Sequence, residues 1–180
     1  VSSEKGEEAG MPGGKERPTP PDGFSLLPSP FSPAAIPPHG RVLALDWGEV
    51  RIGLALSDET QFLATPLDTL VRRRGKRFPM RAFLALVTMH QPVGLLVGLP
   101  LTPEGLEEES AIAARTLAAA VERKTALPLE VWDERMSTAR ALAAIREQGG
   151  STRGRREEVD ALAAAVLLQH WLDTRRNARP

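Results

Sequence analysis

RVLALDWGEVRIGLALSD, residues 41–58, consists of two short apolar runs, RVLALDW and IGLALSD, separated by Gly48-Glu49-Val50-Arg51. Runs of this length around a glycine-bearing turn read as a β-hairpin. Working outward, a third strand is expected around Leu67–Arg72. Within 78–90, Phe83, Leu86, Val87 and His90 recur at helical spacing, and Pro92 stops that helix. VGLLVGL (93–99) is apolar throughout, as a strand covered on both faces should be, and reads as a central parallel strand. Pro100–Gly105 is turn sequence. An alanine-rich second helix is expected over 107–124 and a fifth strand in LEVWDER (129–135). Ser137 can cap a helix that ends at Gly149-Gly150, and a last helix spans 156–175, with Val159, Leu162, Val166 and Trp171 among its apolar positions. The order β-β-β-α-β-α-β-α-α describes an α/β domain: one mixed five-stranded sheet flanked by helices.

Upstream of Arg41 the pattern vanishes. Nine of the sixteen prolines and six of the fifteen glycines fall in residues 1–40, without apolar periodicity. The sequence therefore predicts three regions: a disordered acidic tail over 1–40, a catalytic domain over 41–176 and a flexible C-terminus over 177–180. Removing residues 1–38 is accordingly expected to cost nothing. VSSEKGEEAG does not show the basic-then-apolar order of a secretory signal. The acidic, proline-rich tail can serve as an interaction arm, but a dispensable extension or an upstream start before Met11 is the favoured reading. The longest apolar stretch, 92–101, is too short to span a bilayer, so a soluble protein without a membrane partner is expected. With no cysteine, disulfides and thiolate metal sites are excluded and metal ligands must be oxygen or histidine, which suits a cytoplasmic location. The zero net charge hides a split. The tail holds three basic and five acidic side chains, leaving 20 and 18 in residues 41–180, so basic groups matter through clustering.

Three acids stand in otherwise apolar surroundings, where an unpaired carboxylate is expensive: Asp46 at the end of the first strand, Glu134 at the end of the fifth and Asp160 near the start of the last helix. Gly48, just past Asp46, lets a phosphate or ion approach the backbone. The helix dipole favours ionised Asp160. All three lie at element ends and can converge on one edge of a sheet. Gathered carboxylates call for a cation, and hard oxygen donors select Mg²⁺ or Mn²⁺. Two such ions suffice to activate water and cleave a phosphodiester in line. Each acid alone also has a bland explanation: a turn aspartate, a partner for Arg135 or Arg140, a helix N-terminal acid. Asp133 falls on the opposite strand face from Glu134 and ranks lower, as do Asp58 and Glu104, residue types common in turns.

LALDWGEVRIGLALSD (43–58), LLVGLPLTPEG (95–105), WDERMSTARA (132–141) and VDALAAAVLLQHWL (159–172) together resemble, in order, the motifs of the YqgF/RuvX family, also described as Holliday junction resolvase-like or as pre-16S ribosomal RNA nucleases. The resemblance implies a ribonuclease H-like fold, a metal-dependent nuclease acting at the 5′ end of small-subunit ribosomal RNA, and catalytic acids at Asp46, Glu134 and Asp160. Glu104 departs from the aspartate that many members carry before the glycine.

Phosphate contacts are expected from Arg72, Arg73, Arg74, Lys76, Arg77 and Arg81, and from Arg153, Arg155 and Arg156 in the loop before Asp160. Arg51 has two readings, a nucleic-acid contact or a tie between the hairpin and an acid. Arg175, Arg176 and Arg179 read as a solvated face. His39, His90 and His170 are not expected to bind metal; His170 is ten residues past Asp160, about 15 Å along a helix. Trp47, Trp132 and Trp171 read as packing. The partner is thus ribosomal RNA precursor or other nucleic acid, and both monomer and homodimer are compatible with the sequence. Three rivals remain. A junction resolvase would carry a glutamate on strand four and a second aspartate three residues after Asp160, where this chain has VGLLVGLP and Ala163. A sugar or acetate kinase relative would need a second lobe. A non-catalytic RNA-binding or transcription-associated module would keep the acids as structure.

Overall fold

The computed structural model describes residues 35–72, 77–102, 104–133 and 156–178. Strands β1 (Val42–Asp46), β2 (Arg51–Ser57) and β3 (Ala64–Val71) are followed by α1 (Met80–His90), β4 (Gly94–Leu99), α2 (Glu109–Thr125), β5 (Leu129–Asp133) and α3 (Arg156–Asn177). The sheet order is β3-β2-β1-β4-β5. β1 and β2 form the expected antiparallel hairpin, β3 runs antiparallel to β2, and β4 and β5 run parallel to β1. This order and polarity, with helices on both faces, is the ribonuclease H-like arrangement. VGLLVGL does form the parallel strand between two others, with all six residues of β4 buried.

Strand alternation sorts the core into two layers. Leu43, Leu45, Ile52, Leu54, Leu95 and Val97 face α1 and α2, packing with Phe83, Ala114, Leu117 and Val121. Val42, Ala44, Ala55 and Leu96 face α3, packing with Ala164, Leu167, Leu168 and Trp171. The strand residues of the first layer are large, whereas β1 and β2 present Val42, Ala44, Gly53 and Ala55 to α3, so α3 lies close against them.

Three boundaries differ from expectation. β3 starts at Ala64 rather than near Leu67, because it is a largely exposed edge strand whose polar residues and Pro66 carry no apolar run; a register shift at Leu54/Ala55 accompanies it. The packed domain also begins before Arg41. Ile36 is 1% exposed, inside the α3 layer. A Cβ on Gly94 would stand 2.7 Å from its Cγ2, so glycine there is what lets Ile36 seat. The Ile36 carbonyl accepts a hydrogen bond from Arg175, and Gln61 Nε2 donates to the carbonyls of Pro37 (2.8 Å) and Gly40 (2.9 Å). A tail boundary at Gly40 is therefore too late, and deletion of 1–38 removes core. Asn177, expected in the flexible C-terminus, ends α3. The helix expected over 137–149 lies outside the described residues.

Candidate functional site

β1 alternates Val42, Ala44 and Asp46 onto the α3 face, and Asp46 is the last residue of the strand. It pairs with Gly53 on β2. Gly53 lies directly under the helix: a Cβ there would overlap the carbonyl oxygen and carbon of Asp160. One cross-strand pair thus links the two acids, since Asp46 stands beside the glycine on which the Asp160 backbone rests. Asp160 is the fifth residue of α3, at the end of its first turn, and is fully buried; Asp46 is 5% exposed. The structure brings these two predicted acids to one end of one face. Glu134, the third, lies outside the described residues. β5 places Leu129 and Val131 in the α1/α2 layer, so Glu130 and Trp132 alternate onto the α3 face and Asp133 off it.

Arg51 opens β2, two residues before Gly53 and on the same face. Its Nε donates to Oδ2 of Asp160 across 109 residues of sequence, an ion pair with the carboxylate side chain 1% exposed and the arginine side chain 27%. Of the two roles open to Arg51, this geometry is the one that ties the hairpin to an acid. Gly53 is the functional position that sequence reasoning misses. A glycine inside a strand pattern, marking a close backbone approach, is the signal that could have found it.

The remaining sequence candidates sit elsewhere. Arg72 Nε donates to the Glu49 carbonyl at 2.6 Å and its guanidinium stacks 4.5 Å from the Trp47 ring centroid, fastening the hairpin turn. Arg77 and Arg81 are exposed. Arg73, Arg74, Lys76, Arg153 and Arg155 lie outside the described residues, as does the side chain of Arg156. Trp171 is buried and donates to Glu130 Oε2 at 2.9 Å; Trp132 donates to His170 Nδ1 at 3.3 Å. These bonds lace β5 to α3. Arg175 stacks on Trp171 and bonds Ile36, so it is structural rather than merely solvated. Asp58, at the other end of β2, is a turn former, as its residue type predicts: its Oδ1 accepts from the amides of Phe62 (2.7 Å) and Leu63 (2.9 Å), and Oδ2 from the Thr60 hydroxyl. Burial alone would raise its pKa, but the Thr60 hydroxyl and the three loop amides outweigh this and hold it at about 2.

Among the described residues no group of three or more acids or histidines is gathered to hold a metal ion. The donor set that is gathered is chemically suited to one. Asp46 and Asp160 offer hard oxygen donors on rigid elements, the donor type that Mg²⁺ and Mn²⁺ prefer. A carboxylate offers two oxygens with about four lone-pair sites, so Arg51 at Oδ2 leaves Asp160 compatible with a cation. Burial makes any positive charge there count for more than it would in water.

Residues 40–174 match the family model described as RuvX, Holliday junction resolvase. A relative from Koribacter versatilis (strain Ellin345) is 41% identical over 143 residues, covering 79% of this chain and 92% of its own. One from Anaeromyxobacter sp. (strain Fw109-5) is 45% identical over 135 residues, covering 75% and 98%. Each carries the name "Putative pre-16S rRNA nuclease". Among solved structures, T. thermophilus RuvC in complex with Holliday junction substrate matches at TM-score 0.48 and 17% identity, over 77% of this chain and 96% of that one. With three quarters of its length matched by the family model, this chain belongs to the RuvX family.

Proposed function

We propose that the protein is a divalent-metal-dependent nuclease that hydrolyses phosphodiester bonds at the 5′ end of pre-16S ribosomal RNA in the cytoplasm. The observation that carries this reading is the meeting of two buried acids, Asp46 and Asp160, through Gly53 at one end of the sheet. The names of the relatives supply the substrate. Asp46, Glu134 and Asp160 hold the Mg²⁺ or Mn²⁺; Glu134 is preferred to Asp133 because Glu130 and Trp132 already alternate onto the α3 face. When bound, the metal ions polarise the scissile phosphate and activate the attacking water. Arg153, Arg155, Arg156 and the cluster Arg73, Arg74, Lys76 and Arg77 hold the phosphates on either side of the cut, which gives affinity with little sequence information. Arg51 joins the acids, since its Nε is engaged by Asp160.

Junction resolution is the weaker alternative. Ala163, where a resolvase would carry its second helical aspartate, is 1% exposed within the packed α3 layer. The test is competition between labelled pre-16S RNA and a labelled four-way DNA junction at fixed salt and Mn²⁺, with the product ends mapped. RNA cleavage near the mature 5′ end, at least 100-fold reduced in Asp46→Asn, is expected. Symmetric paired nicks in the junction, faster than any RNA cut, would overturn the substrate. Full activity in a folded Asp46→Asn variant would overturn the site.

A further inference from the structure

A positive partner stabilises the charged form of a fully buried carboxylate whether or not a metal ion is present, because water no longer solvates it. In this fold the Arg51 guanidinium is a described partner of Asp160. Its backbone is fixed: Arg51 pairs with Val71 of β3, and the Val50 carbonyl accepts from the Arg72 amide at 2.9 Å. Asp160 is located independently of it, by the seating of the α3 backbone on Gly53 and by the packing of Ala164, Leu167 and Leu168 beyond. Loss of the guanidinium therefore removes a charge from the site while leaving the acid in place. A cation bound to the Asp160 carboxylate shares that group with Arg51, and like charges at such range repel.

From this geometry we infer that Arg51 is a built-in counter-cation, which stabilises the metal-free protein through Asp160 and, by repelling the metal from the same carboxylate, loosens metal binding. The inference rests on the metal-site reading above. It makes Arg51 a setter of metal affinity rather than a contact for substrate.

The experiment uses the full chain, stripped with EDTA and titrated with Mn²⁺. Thermal melting and calorimetric titration are followed for the wild type, Arg51→Gln, Arg51→Lys and Asp46→Asn. Arg51→Gln is expected to melt several degrees lower without metal, to bind Mn²⁺ roughly tenfold more tightly and to gain more from it in melting temperature than the wild type does. Arg51→Lys keeps the charge and should bind Mn²⁺ within about threefold of the wild type. If Arg51→Gln does not fold in EDTA, Mn²⁺ must restore its folding, the ion taking over the charge it lost. Arg51→Gln binding Mn²⁺ no more tightly than the wild type, or failing to be refolded by it, overturns the counter-cation role while leaving the metal site standing. Arg51→Lys behaving like Arg51→Gln overturns it too, by assigning the effect to guanidinium geometry. No Mn²⁺ response in the wild type overturns both readings, and an Asp46→Asn variant that responds undiminished overturns the ligand assignment alone.

Discussion

The two faces of the sheet obey the same alternation and have opposite chemistry. The α1/α2 face is continuously apolar from Leu43 and Leu45 through Leu95, Val97 and Leu129 to the helices above. The α3 face begins the same way, with Val42, Ala44, Ala55 and Leu96 beneath Leu167, Leu168 and Trp171. It ends differently, with Gly53, Asp46, Arg51 and Asp160 at the end where β1 stops and α3 starts. Large strand side chains fill the first face and need nothing but volume. Small ones let the α3 backbone touch the second, which delivers a helical acid to a strand-end acid. A layer can therefore be optimised for packing or for bringing backbones together, and this sheet assigns one task to each side.

A pair of substitutions, one on each face, tests that division most severely. Phe83→Ala hollows the α1/α2 layer, where Phe83 is fully buried, and should cost about 3–5 kcal/mol, leaving cleavage per folded molecule within a few-fold of the wild type. Gly53→Ala adds one methyl group where the Asp160 backbone lies. Overpacking against backbone should cost about 3 kcal/mol and displace Asp160 from Asp46, lowering cleavage by 100-fold or more. Urea unfolding with single-turnover cleavage measures both. Equal loss of activity in the two folded variants would mean that the faces are not specialised.

Much of this arrangement is legible in the amino-acid sequence alone. The hairpin, the parallel strand VGLLVGL and the helix around Phe83 announce themselves through local periodicity, which needs only neighbours in sequence. Asp46 and Asp160 stand out because charge is costly among Leu, Val and Ala. The contacts that make them a site are another matter. Arg51 meets Asp160 across 109 residues, and Gly53 meets it through its backbone, so no local pattern encodes either. Ile36 is hidden for a related reason. One isoleucine between Ala35 and two prolines has no period, and its burial depends on Gly94, on a strand 58 residues away.

Ile36 sharpens the comparison by showing that the α3 layer borrows a residue from outside the sheet. Ile36→Ala should cost about 2–4 kcal/mol, since it empties a fully buried position. At about 2–4 °C per kcal/mol for a chain of this size, the melting temperature should drop by about 4–16 °C. Deleting 1–38 should do at least as much, because Arg175 and Gln61 also lose the carbonyl acceptors of Ile36 and Pro37. Melting temperatures for both variants no more than 1 °C below the wild type would return the boundary to Gly40.

The smallest effect concerns the end of β2 remote from the acids, where Asp58 closes the loop into β3. Its carboxylate is held at about 2, below the ordinary 3.8, because the Thr60 hydroxyl and the amides of Leu63, Phe62 and Thr60 outweigh the cost of burial. A folded-state pKa below the unfolded one means that the ionised form binds its partners only in the native state. The contribution is complete above about pH 4 and is lost as pH falls from there through about 2. The loop is open to solvent, which screens these bonds, so the whole contribution should stay near or below about 1 kcal/mol. Asp58→Ala should therefore melt no more than about 4 °C below the wild type at pH 7, with the gap closing between pH 4 and pH 2. Cleavage at neutral pH should be unchanged, since Ser57 and Asp58 lie at the far end of β2 from Arg51. The measurement is a set of melting curves for both proteins from pH 2 to 7. A gap that persists unchanged at pH 2 would show that Asp58 acts through its shape in the turn and not through its charge.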